Sequence, residues 1–266
     1  MPMKLSIALF TAIVLVGSKT SPAGAAPALA PQRVLFIGNS YTSFNNLPQI
    51  YQRIAASAGH APRQLKAAMP DGMTLHAHLV YPATLSLIDE GNWDVVVVQA
   101  QSQEAAASEQ ISEVRSNFLE GATGLYDRIK GRSPHAKIIF YETWARHTAY
   151  WNEPGADSSV GSSAVDMQAR IRKWYQKAVA ERKDFIIAPV GEAWELNYKN
   201  PKAVRLHQSD NSHPAFNGSY LAALVIYGTI YHTQKVNVSY AGGLSPAQAL
   251  YLQTIASQAM RIYNSP

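Results

Sequence analysis

The chain of 266 residues contains no cysteine. That one absence removes disulfide staples, cysteine-ligated zinc and thiol catalysis together. An excess of one charge is also missing, since 23 Lys and Arg stand against 18 Asp and Glu. No Lys/Arg stripe marks a face for nucleic acid, so nucleic-acid binding is not expected. Internal repeats are absent, and biased composition is confined to the Ala/Pro stretch 23–31. Beyond the first residues no run is long and apolar enough to suggest stable membrane insertion.

The N-terminus reads differently. Lys4 supplies a positive charge, Leu5 to Gly17 is an apolar run, and Ala23-Gly-Ala-Ala26 offers a small-residue cleavage site. Residues 1–26 are therefore expected to be a secretory signal peptide, with an uncleaved anchor as the alternative, and 27–32 a linker. Losing Lys4 and Lys19 leaves 21 basic against 18 acidic residues. The remaining 33–266 make one domain of roughly 240 residues, enough to bury about 70–75% of the extended chain's surface. An exported, cysteine-free chain of this size must rely on its core, which suits a secreted or periplasmic enzyme.

Hydrophobic spacing alternates between two periods along this domain. Val34 to Ile37, 63–69, Trp93 to Gln99, Lys137 to Tyr141 and Phe185 to Ala188 read as strands. The four valines 95–98 carry no polar alternation, the pattern of a strand buried on both faces at the centre of a parallel sheet. Helical spacing is predicted over 47–58, 73–79, 85–90, 108–130, 165–182, 189–198, 216–231 and 245–263, with Gly121 and Gly124 as candidate bends. Strands alternating with helices predict an α/β fold, a three-layer α/β/α sandwich with a mainly parallel five-stranded sheet. The stretch 142–161 is irregular and rich in aromatic, Gly and Ser residues, too long to be a plain connection.

The chemistry centres on Gly38-Asn-Ser-Tyr-Thr42, where the first strand stops in a small polar turn. Ser40 there is either a helix cap or a nucleophile at the C-terminal rim of the sheet. A serine needs a base within reach and an acid to orient that base. Asp210-Asn-Ser-His213-Pro214 supplies both, with the acid three residues before the histidine in a loop stiffened by proline. Two other groupings carry metal-ligand types: His76-Ala-His78, and His207 with Asp210 and His213. The first pair would face apart on a helix, and the second has a better use in a triad. No metal or other cofactor is expected. Ser219 lies in an apolar helix and reads as structural. Asn39 either orients substrate or hydrogen-bonds across the turn. Trp144, Tyr150 and Trp151 fall on the rim loop and either stack on a sugar or acyl group or build the loop's own core. Glu142, at a strand end, either points into the site or is solvated.

Gly38-Asn-Ser40 followed by Asp210-x-x-His213 near the C-terminus resembles the nucleophile and acid-base blocks of the SGNH (GDSL-type) hydrolase superfamily. The resemblance implies an SGNH/flavodoxin-like sandwich and a catalytic triad of Ser40, His213 and Asp210. It also implies an oxyanion hole made by the Ser40 amide, a glycine after the second strand, here Gly72, and an asparagine after the central strand. The chain departs from the family at that third donor: Val98 is followed by Gln99-Ala-Gln101, so Gln99 at the strand edge or Gln101 by alignment must replace it. The expectation is a secreted serine esterase from a divergent branch, with an O-acetyl or short-acyl carbohydrate ester as substrate. A lipase or general carboxylesterase, transfer of the acyl group to a sugar, and a non-catalytic glycan-binding protein on the same scaffold are the alternatives.

Overall fold

The computed structural model describes residues 31–180, 182 and 184–263. The signal-peptide expectation, on 1–26, lies outside the described residues, as does 27–30 of the linker.

Five strands, β1 (Arg33–Ile37), β2 (Gln64–Ala68), β3 (Val95–Gln99), β4 (Lys137–Tyr141) and β5 (Phe185–Ala188), form one sheet in the order β2-β1-β3-β4-β5. All four pairings are parallel. The helices are α1 (Ser40–Ser43), α2 (Leu47–Ser57), α3 (Leu75–His78), α4 (Pro82–Asp89), α5 (Glu104–Ala107), α6 (Ser112–Arg132), α7 (Ala164–Val179), α8 (Val190–Lys199), α9 (Phe216–Ile230) and α10 (Pro246–Tyr263). Alternate strand residues serve opposite faces. Val34, Phe36, Val95, Val97, Ile139 and Tyr141 pack into the core under α2, α8, α9 and α10. Leu35, Ile37, Val96, Val98, Ile138 and Phe140 pack into the core under α3 to α7. A sheet covered on both faces explains why β3 is buried at every position.

Three local differences from the sequence reading have physical reasons. The helix expected over 108–130 starts later, as α6 at Ser112, because the backbone turns after the short α5 and Ile111 is extended just ahead of it. The helix expected over 85–90 begins earlier, at Pro82, whose missing N–H costs nothing in a first turn. Gly121 and Gly124 do not divide α6; they admit α3, because a Cβ on Gly121 would lie 2.5 Å from the His76 backbone nitrogen and 2.6 Å from Leu75 Cβ.

Strand order fixes where a site can form. The chain steps from β1 outward to β2, then returns across β1 to β3. The loops leaving β1 and β3 therefore diverge to opposite layers and open a crevice at their C-terminal ends, the usual ligand position in open α/β sheets. Ser40 follows β1 and Gln101 follows β3 at that crevice.

Candidate active site

The turn after β1 is held from beneath by buried polar side chains. Asn39, 1% exposed, accepts the Tyr41 amide on Oδ1 at 3.1 Å and donates through Nδ2 to Met73 O at 2.9 Å. Gln99 is fully buried, and its Oε1 accepts the Asn39 amide at 3.0 Å and the Thr42 hydroxyl at 2.8 Å. His78, also fully buried, donates from Nε2 to Gly38 O at 3.1 Å while Nδ1 accepts from Thr84 Oγ1 at 2.7 Å. Burial pushes the His78 pKa down to about 4, against the opposing pull of the Gly38 carbonyl, so the ring is neutral near pH 7. Gly38 leaves no room for a side chain: a Cβ would lie 2.5 Å from Thr42 Oγ1 and 2.6 Å from Gln99 Oε1.

On this base Ser40 opens α1, half-buried, with its Oγ 3.0 Å from His213 Nε2. His213 Nδ1 lies 2.5 Å from Asp210 Oδ2. Asp210 Oδ1 accepts the amides of Ser212 at 3.0 Å and His213 at 2.9 Å, so the carboxylate turns back on its own loop as Asp-x-x-His spacing allows. Partial burial raises the Asp210 carboxyl, but hydrogen bonds from the His213 ring and the two amides outweigh it and hold the pKa below the ordinary value. An ionised Asp210 accepts a hydrogen bond from Nδ1–H, which fixes the tautomer and leaves Nε2 free to accept the serine proton. Phe44 stacks on the imidazole at 4.3 Å between centroids, and Tyr41 meets it edge-on at 5.7 Å. The loop that carries the pair is anchored by a bridge between His207 and Pro214 and by Gln208 N donating to His213 O at 2.8 Å.

The two glutamines play different parts. Oε1 of Gln99 is fixed as the acceptor by the Asn39 amide, and its Nε2 is spent on Asn39 Oδ1 and the Ala100 carbonyl. As an oxyanion donor Gln99 is therefore corrected: it is a strut under the nucleophile. Gln101 is half-buried, uses Oε1 to cap the Gln103 amide at 2.6 Å, and leaves its Nε2 without a protein acceptor among the described residues. Gly72, with φ +69°, sits exposed in the turn between β2 and α3, and Asn39 ties that turn to the nucleophile through Met73. The amides of Ser40 and Gly72 make no hydrogen bond within the described residues.

Three of the expected substrate contacts fall elsewhere. Trp144, 1% exposed, is sandwiched between Tyr41 at 4.3 Å and Trp194 at 3.8 Å, and donates to Ser212 O at 3.0 Å. It is a core residue that braces the acid-base loop. Trp151 packs against the core beneath α3 to α7. Glu142 is 1% exposed, accepts from Gln168 Nε2 at 2.8 Å, and has a pKa raised by burial well above the carboxylate range; its contacts lie under α7 and α8, away from the triad. Tyr150, half-buried, accepts the Asp157 amide at 2.8 Å, so the rim loop builds its own small core. Asn39 serves the turn, as above.

Glu104 and Arg146 are structural residues that the sequence does not single out, and His78, paired there with His76 as a ligand type, supports the turn instead. Glu104, 5% exposed, accepts the Gln101 amide at 2.7 Å and the Leu75 amide at 3.3 Å, and desolvation raises its pKa to about 7. Arg146, 8% exposed, donates to Tyr41 Oη, to Ser212 Oγ and, at 3.2 Å, to Ser102 Oγ. It thus joins the loops that carry Ser40, His213 and Gln101. His78 could have been sought on the apolar side of the 73–79 pattern. Nothing local marks Arg146, because its partners come from three distant loops. Among the described residues no three His, Asp or Glu side chains gather as a metal site: His76 is exposed, and His207 is buried against Tyr198 Oη and Ala145 O.

No family model and no curated protein matches the chain. Solved structures do. A DUF4886 family protein from Bacteroides uniformis superposes with a TM-score of 0.68 at 17% identity, over 88% of this chain and 96% of its own. A protein assigned to the SGNH hydrolases, from Slackia heliotrinireducens, gives 0.60 at 25% identity over 75% and 98%. This is the SGNH-hydrolase fold. A lipase/acylhydrolase from Enterococcus faecalis shares it at 0.55 and 16% identity, over 75% and 96%. On this fold the chain carries Ser40 after β1, glutamines after β3 and the Asp210-x-x-His213 loop before α9.

Proposed function

We propose that the protein is a serine esterase of the SGNH type. The observation that carries this is the unbroken path from Ser40 Oγ to His213 Nε2 at 3.0 Å and from His213 Nδ1 to Asp210 Oδ2 at 2.5 Å. As Ser40 Oγ attacks the ester carbonyl carbon, its proton passes to His213 Nε2. The resulting imidazolium is stabilised by Asp210 and then protonates the departing alcohol. Water, deprotonated by the same nitrogen, cleaves the acyl-serine and releases the acid. The Ser40 and Gly72 amides and Gln101 Nε2 are the donors available to the oxyanion.

The side chain of Asp210 is 45% exposed and that of His213 29%. A triad this close to solvent suits an ester on a bulky polar alcohol, so the favoured substrate is an O-acetyl or other short-acyl ester of a carbohydrate. A general carboxylesterase is the second reading, since the SGNH fold is shared with a lipase/acylhydrolase. Export through the 1–26 signal is part of this proposal. The test is a chain-length series of aryl esters beside acetylated sugars, scored by kcat/KM for wild type and Ser40→Ala. Turnover that is absent, or indifferent to Ser40→Ala, refutes the esterase.

A further inference from the structure

Arg146 has a second aspect. Its guanidinium is buried, yet its hydrogen-bond partners are three neutral hydroxyls, the Tyr41 and Tyr150 rings lie 6.0 and 5.9 Å from it, and among the described residues no carboxylate is within ion-pair distance. A buried cation without a counter-ion is an expensive arrangement unless something else supplies the negative charge. Nε of Arg146 donates to no protein atom and is not among the buried unpartnered atoms, so it remains reachable.

Arg146 also lines a cavity of about 170 Å³ between the loop after β4, the start of α7 and α8. The other walls are mostly apolar, with Trp144, Trp194, Tyr198, Ala164 and Val165. Val165, 67% exposed, is the most open of these. Two further charged side chains reach the cavity but are already engaged: Glu195 is paired with Arg172 at 3.0 Å and with Lys199 at 3.2 Å. His147 and His207 are kept neutral near pH 7, chiefly by burial. Ser40, Asp210 and His213 are not among the walls, although Tyr41 and Ser212, each next to a triad residue, are held by the same guanidinium.

We propose that this cavity binds a small carboxylate with an apolar body, its charge paired with Arg146. A cavity on the order of 150 Å³ holds about one benzene-sized molecule, so an aryl or short branched carboxylate matches both volume and lining. The site is distinct from the ester-cleaving one.

Benzoate is the probe and benzyl alcohol its uncharged counterpart, titrated calorimetrically against wild type and against Ser40→Ala. Benzoate is expected to saturate one site in both, and benzyl alcohol to bind at least about tenfold more weakly, the value of one charge-assisted hydrogen bond. Arg146→Met is expected to cost benzoate a similar factor, Arg146→Lys less. Ala164→Phe, which fills the cavity, is expected to abolish binding while leaving ester turnover intact. Equal affinity for the two probes, or benzoate binding that survives Ala164→Phe, overturns the proposal. Should Arg146→Met fail to fold, Ala164→Phe alone decides. Ester turnover does not enter this readout, so a wild type inactive on every ester refutes the esterase and leaves the cavity result standing.

Discussion

Replacing each glutamine of the Gln99-Ala-Gln101 block by alanine separates support from catalysis. Gln99→Ala withdraws the acceptor of the buried Asn39 amide at 3.0 Å and of the Thr42 hydroxyl at 2.8 Å. Each buried group left unpaired costs about 1–3 kcal/mol, so the two together should cost about 2–6 kcal/mol. Gln101→Ala removes one helix-end contact, to the Gln103 amide, at a half-buried position, and should cost about 1 kcal/mol. Turnover should order the pair differently. Loss of the Gln101 Nε2 donor should lower kcat by roughly 10²–10³-fold with little change in KM, as removal of one oxyanion donor does. Urea denaturation at pH 7 gives the first quantity and steady-state hydrolysis of an aryl acetate the second. A Gln99→Ala variant as stable as wild type, or a Gln101→Ala variant with unchanged kcat, refutes the division of roles.

Asp210→Asn should keep the fold and lower kcat by roughly 10³–10⁴-fold, because the wrong imidazole tautomer is then favoured; near-wild-type turnover would show that Asp210 does not orient His213. Burial lowers the His207 pKa to about 3, so its stabilising contribution is complete above an unfolded-state pKa of about 6.5 and is lost as pH falls toward 3. His207→Gln should therefore remove on the order of 2 kcal/mol of the stability change between pH 7 and pH 5; an identical pH slope in the variant contradicts this. Glu104 runs the other way, since burial raises its pKa to about 7 and its contribution, complete below about 4.5, is lost as pH rises through 7. Relative to wild type, Glu104→Gln should gain on the order of 3 kcal/mol between pH 4 and pH 8, read from urea midpoints, and a constant difference would exclude an ionisation at this site.

Five strands and the long helices were legible because each is written in local spacing. The valines 95–98 announce a buried central strand, and the alternation of periods gives the sandwich. The Ser40 and Asp210-x-x-His213 blocks were legible as types of residue in suitable loops, and the structure brings them within hydrogen-bonding reach. The aromatic loop was read less well. Trp144 could equally have been exposed or stacked, and only the positions of Tyr41 and Trp194, 103 and 50 residues away in the chain, decide that it is core.

Sequence alone determined the period of each element and the presence of a serine turn after β1 and an Asp-x-x-His loop near the C-terminus, because each of these depends on neighbours within a turn or a strand. Tertiary structure decided which glutamine is spent and which is free, since Gln99 meets Asn39 and Thr42 only after β1 and β3 pair. It also decided that Arg146 would be buried among hydroxyls from three loops. Such contacts join residues far apart in the chain, and no local pattern encodes the geometry that brings them together.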